Sequence, residues 1–62
     1  MKDGTYTWYD FGQRCQIDLI NGKAFWFDAD TGEDGEMPYS DAVREISEVV
    51  GEVRFTPKGD AQ

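Results

Sequence analysis

Thirteen of the 62 side chains are carboxylic acids, one is a thiol and none is an imidazole. That inventory decides which chemistries are open. Without histidine the commonest general base is missing. Cys15 sits in an alternating segment, on the face shared with Ile17 and Leu19, and reads as an inert core thiol. Acid–base work by paired carboxylates needs a cleft that drives their pKa values apart. A row of exposed acids supplies none. The sequence has no glycine-rich phosphate loop and no Cys/His zinc set. The expectation is a protein without catalytic residues, without a cofactor and without enzymatic activity.

What exposed carboxylates do well is meet cations. Residues 28–52 hold nine acids (Asp28, Asp30, Glu33, Asp34, Glu36, Asp41, Glu45, Glu48 and Glu52) against the single base Arg44, a net −8. The rest of the chain is +1, and the whole is −7. On a helix, Asp41, Glu45, Glu48 and Glu52 fall near one line, with Glu52 just past Gly51. Like charges at that spacing repel by a few tenths of a kcal/mol, and a surface built for solubility mixes its signs. An acidic helix face is by default a solvated face. The sharper reading makes these nine residues a docking surface for a basic partner. Duplex DNA carries about one negative charge per 1.7 Å of axis, and carboxylates 5–6 Å apart on a helix imitate such a row more sparsely.

A competing constellation is calcium-like. Asp30, Asp34, Gly35, Glu36 and Asp41 fit an EF-hand register over residues 30–41. Gly32 lacks a side-chain oxygen at the third position, and Asp41 replaces the usual bidentate glutamate. No metal is expected; a small calcium-binding or structural interaction module is the alternative. Aromatics offer another surface. Tyr6, Trp8, Tyr9, Trp26 and Tyr39 have no basic groove beside them, so stacking on single-stranded nucleic acid is not expected. Trp8 and Trp26 read as padding on the second sheet face or as anchors at a protein interface. An exposed Phe11 or Trp26 leaves both a monomer and a weak homodimer open.

The elements that position these groups follow from periodicity. Thr5 to Phe11 reads as a strand, Gly12-Gln13 as a turn, and Arg14 to Leu19 as a second strand with Cys15, Ile17 and Leu19 on one face. Asn21-Gly22 signals a hairpin, with Lys23 to Ala29 returning. A two-residue loop there would put Phe25 and Phe27 on the polar face. A three-residue loop over residues 20–22 pairs Ile17 with Phe25 and Cys15 with Phe27, and is the preferred register. Trp26 then falls on the opposite face, beside Gln16. Residues 30–36 read as a loop, Ser40 as an N-cap, and Gly51 as a stop. Ala42, Val43, Ile46, Val49 and Val50 form the apolar stripe of the helix between them. Val53 to Thr56 reads as a last strand. The expected fold is α+β: an antiparallel sheet of about four strands, β-β-β-α-β, with one helix packed on one face. One domain spans 1–62, with 1–4 and 57–62 fraying.

In size, charge and expected architecture, and in the stripe Asp41, Glu45 and Glu48, the chain resembles small acidic phage anti-CRISPR proteins of the DNA-mimic kind. The likeness covers the whole chain as a profile and rests on no shared motif. It implies an inhibitor that occupies the Lys/Arg surface of a CRISPR effector and excludes target DNA. The cytoplasm of a bacterial host is the implied location. Residues 25–33 are also similar to the strand-then-DAxTGE ending of PepSY domains. There the helix precedes the hairpin; here it follows, and the Asp and Gly residues read as turn chemistry.

Size and charge exclude much else. A chain this short buries only about 60% of its unfolded surface. Its acidity disfavours direct contact with nucleic acid or with anionic membranes. No apolar run is long enough to span a bilayer, and no signal-peptide pattern is expected. The lone Cys15 points to a reducing compartment.

Overall fold

The structure is a computed structural model that describes residues 1–58. Five strands and one helix follow in the order β1 (Gly4–Asp10), β2 (Gln13–Ile20), β3 (Lys23–Phe27), β4 (Asp34–Met37), α1 (Tyr39–Ser47) and β5 (Arg54–Pro57). The strands form one antiparallel sheet in the order β4-β3-β2-β1-β5. The α+β class with a single helix on one face is as the sequence implies. The strand count is five rather than four, because β4 occupies part of the expected 30–36 loop.

Turn chemistry fixes the register. Asn21 and Gly22 both take left-handed φ, 52° and 78°. That is the two-residue turn whose twist matches the flanking strands. Ile20 therefore pairs with Lys23, Ile17 with Trp26, Asp18 with Phe25 and Gln16 with Phe27. This overturns the three-residue register. Trp26 moves to the face of Ile17, and Phe25 and Phe27 go to the opposite face, where they are half-buried. Trp8, opposite Cys15, is likewise on the helix side and not on the second face. The gain lies at Ala24. It faces the helix beside Leu19, and both residues are fully buried. A methyl at that point lets α1 approach closely, where a phenyl ring would hold it off.

The core is the layer between sheet and helix. Tyr6, Trp8, Ile17, Leu19 and Ala24 meet Ala42 and Ile46, with Cys15, Met37, Tyr39, Val49 and Val53 packed at the margin. On β5, Phe55 lies over Tyr6 with ring centroids 4.7 Å apart. A Cβ on Gly4 would run into the Thr56 carbonyl and the Phe55 ring, so β1 and β5 pair only because that position is glycine. Gly35 plays the matching part at the other edge. A Cβ there would come within 2.9 Å of the Trp26 indole, which lies over β4.

The helix is shorter than expected. Pro38, not Ser40, is its N-cap, with φ preset at −59°. The Ala42 amide donates to the Pro38 carbonyl at 3.1 Å. Ser40 makes no capping bond, and Asp41 stands in the first turn where the helix dipole favours an acid. The helix ends at Ser47 with Glu48 as C-cap. Val49, Val50 and Gly51 therefore belong to the connection; Gly51 stops nothing. At the start of the chain, residues 1–4 are tied in rather than loose. The Tyr6 hydroxyl donates to the Lys2 carbonyl at 2.7 Å, and Gly4 belongs to β1. Pro57 closes β5, and the expected fraying of 59–62 lies outside the described residues.

Among the described residues no helix or strand covers the second face of the sheet. At its centre Asp18 stands opposite Thr5 and Phe25, and its Oδ1 is buried without a hydrogen-bond partner. An unsatisfied buried polar atom costs about 1–3 kcal/mol. Asp18→Thr removes the acid and places a β-branched residue mid-strand. It is expected to raise the melting temperature by about 4–8 °C, the equivalent of about 1 kcal/mol in a domain of this size. A lower melting temperature would show that the carboxylate stabilises the sheet.

Candidate functional site

In an antiparallel meander the first and third connections share an end. Here the β1–β2 turn and the β3–β4 loop lie together, since β1 ends at Asp10, paired with Gln13, and β3 ends at Phe27, paired with Asp34. The helix starts at the opposite end, where the Tyr39 hydroxyl donates to the Met1 carbonyl at 3.4 Å. It runs back across the sheet to the turn end. There Glu45 borders a cleft with Asp28 and Gln13, and Glu48 borders a hollow with Asp10 and Phe11. One end of the molecule thus collects seven carboxylates. Asp28, Asp30 and Glu33 come from the β3–β4 loop with Asp34 opening β4 directly after it, Asp10 from the last position of β1, and Glu45 and Glu48 from the last turn and C-cap of the helix.

The cations lie elsewhere. Lys23 follows the β2–β3 turn at the far end, and the Lys58 amide reaches the Asp3 carbonyl there, close to Lys2. Arg54 sits midway along β1, opposite Thr7. Arg14 is the one cation strand pairing brings to the acidic end among the described residues, and it donates to Gln16 Oε1 at 3.0 Å. Among those residues the single ion pair is Arg44 with Asp41, at 3.4 Å on the helix. None of the seven carboxylates is neutralised by a described partner.

The acidic loop is ordered by its own polar groups. The Asp28 amide donates to the Glu33 carbonyl and the Gly32 amide to the Asp28 carbonyl, each at 2.8 Å. Asp28 Oδ1 accepts from the Asp30 amide at 2.9 Å, and Thr31 Oγ1 accepts from the Glu33 amide at 3.2 Å. These are local side-chain turns of the kind Asp and Thr make best. Asp28 is therefore partly committed to the loop, while Asp30 meets only the Gln13 amide at 3.5 Å.

Phe11 stands beside this end. It belongs to the β1–β2 turn, not to the strand, and has a left-handed φ of 51°. A bulky residue there carries strain of about 1–3 kcal/mol. The residue is fully exposed, at 103%, and Val50 beside it is also exposed. An apolar tip held in a strained turn is a feature that turn stability alone would not select.

Cys15 lines the cleft below Glu45. Burial pushes its thiol up from the ordinary range, and the charges of Asp10 and Glu45 push it the same way. All three disfavour the thiolate, so the residue is not an activated nucleophile. Its alkylation by iodoacetamide at pH 8 is expected to be slower than that of free cysteine, as followed by mass spectrometry. The folded thiol holds its proton above the pKa of the unfolded one, so this group's contribution to stability is complete below the unfolded value and declines as pH rises past it.

Of the nine acids expected to bind a partner, the acidic end holds Asp28, Asp30, Glu33, Asp34, Glu45 and Glu48. Glu36 lies on the open face opposite Phe25, Asp41 is paired with Arg44 near the start of the helix, and Glu52 is in the connection to β5. Asp41, Glu45 and Glu48 stay on successive turns, since the Glu48 amide still donates to the Arg44 carbonyl at 3.0 Å, and only Glu52, four residues past the C-cap, leaves the line. Asp10 escaped the sequence reading; its signal is topological and needs β4 to be recognised first. The calcium-like set is dispersed. Asp30 is in the loop, Asp34 and Glu36 are on a strand, and Asp41 is on the helix. Among the described residues no group of three or more potential ligands is placed to hold a metal ion. No described helix is long and apolar enough to cross a membrane. Comparison with protein-family models, curated proteins and solved structures returns no match.

Proposed function

We propose that this chain is a non-enzymatic inhibitor that sets its acidic end on the nucleic-acid-binding surface of a larger complex and excludes the nucleic acid by mimicry of its charge. A CRISPR effector of a bacterial host is the partner this reading names. One observation carries it: seven carboxylates from three separate chain segments converge on one end, free of described ion pairs, while Lys2, Lys23 and Lys58 are kept at the other. Folding brings like charges together at a cost, and a cationic partner would offset that cost. The exposed Phe11 and Val50 add an apolar contact of the kind that anchors an interface. The absence of histidine and the suppressed thiolate of Cys15 favour binding over catalysis. The test is capture from bacterial lysate at low and high salt, with the retained proteins identified. A DNA- or RNA-handling complex retained at low salt and shed at high salt is expected; retention only of proteins without such a surface would overturn the reading.

A further inference from the structure

We propose that the cleft between the second half of α1 and the ends of β2 and β3 is a socket for an arginine side chain of the basic partner. This rests on the reading of the partner as a cationic surface and says which group enters. The cleft has a volume of about 360 Å³. Trp8, Trp26, Ile17 and Met37 give it apolar walls, Cys15 is in its lining, and Asp28 and Glu45 supply carboxylates. That combination selects a guanidinium. It is planar, weakly hydrated, stacks on indole and pairs with carboxylate through two parallel bonds. An ammonium is more strongly hydrated and loses more on entry.

Among the described residues no side chain fills the socket. Arg14 borders it, but strand pairing places Arg14 on the open face with Tyr9, where Gln16 takes its guanidinium. Glu45 is the freer of the two carboxylates, since Asp28 Oδ1 already accepts from the Asp30 amide. Trp26 is set in place in advance. Its indole lies over Gly35, where any Cβ would come within 2.9 Å of the ring atoms, and it stays 38% exposed. Gly35 is thus a positioning residue for the socket wall. Its φ is not left-handed, so alanine there acts through the indole rather than through the backbone.

The probe is the capped peptide acetyl-Arg-Arg-Arg-amide, titrated at low salt against its lysine counterpart and followed by NMR at the Trp26 indole N–H. The arginine peptide is expected to move that signal saturably and to bind about fivefold or more tighter than the lysine peptide. Trp26→Leu and Gly35→Ala are each expected to weaken it by about the same factor, with Glu52→Gln unchanged. Gly35→Ala keeps the test decisive if Trp26→Leu fails to fold. Shifts confined to the amides of residues 28–34, with the indole unmoved, would overturn the socket, as would wild-type affinity in a folded Gly35→Ala. A complex captured equally by wild type and Gly35→Ala sinks the socket and leaves the inhibitor intact. An indole that answers arginine in a protein capturing no nucleic-acid-handling complex does the reverse.

Discussion

Reversing the charge of Asp30, Glu33 and Glu48 together is expected to reduce capture of the partner by about a thousandfold while leaving the fold intact. A charge-assisted bond in an interface is worth about 1.5–3 kcal/mol. At the lower limit each lost contact is about tenfold in affinity, and each introduced lysine adds repulsion from a cationic surface. The three residues come from both the loop and the end of the helix, and all are exposed. Glu33 contributes to loop structure through its backbone, which the substitution keeps. Asp28 is left alone because its carboxylate holds the Asp30 amide. The control is Glu36→Lys with Asp41→Lys, two acids placed away from the end, one in mid-strand opposite Phe25 and one in the first turn of the helix. Binding measured by titration at low salt decides the matter. Equal losses in both variants would mean that net charge, not its placement, drives association. Wild-type affinity in the triple variant would end the inhibitor reading.

Leu19→Ala is expected to cost about 2–5 kcal/mol, the span seen when a buried leucine is cut to alanine. Leu19 is 0% exposed and sits in β2, the central strand, opposite Gly4 and Ala24. Its neighbours are a glycine and an alanine, so little side chain is at hand to fill the void. A domain of this length has a total stability of about 3–9 kcal/mol. The substitution therefore removes a large share of that stability. Urea denaturation checks it: the midpoint is expected to fall sharply with the slope retained. A loss below about 1 kcal/mol would mean that the helix layer is not the centre of stability.

How much of this was legible in sequence depended on whether a local rule and a global one agreed. The alternation of Cys15, Ile17 and Leu19 was plain, because a strand with one buried face must alternate. The Asn21-Gly22 pair also stated its turn, but the wish to bury Phe25 and Phe27 argued for a slip of one residue. Turn geometry won, and the helix settled on Ala24. β4 was illegible. Asp34-Gly35-Glu36-Met37 has little strand preference, and it pairs because β3 offers an edge and Trp26 has an indole to lay over Gly35. With β4 missing, the end shared by the first and third connections could not be foreseen, and neither could the place of Asp10. The excess of acid in residues 28–34 was visible. That strand alternation would turn Glu36 to the open face, and that the helix would start at the other end and hold Asp41 there beside Arg44, was not.

The far placement of Lys2, Lys23 and Lys58 has an effect that no single contact describes. Acids at one extremity and ammonium groups at the other make the molecule a permanent electric dipole, laid along a body whose longest extent is 30 Å. A cationic groove exerts torque on such an object before it touches it. Tumbling is biased, the carboxylate pole arrives first, and a larger share of collisions begins in the right orientation. Salt shortens the range of that torque to about 8 Å at physiological ionic strength and about 3 Å at 1 M, so added salt should slow arrival even where it leaves the docked geometry untouched.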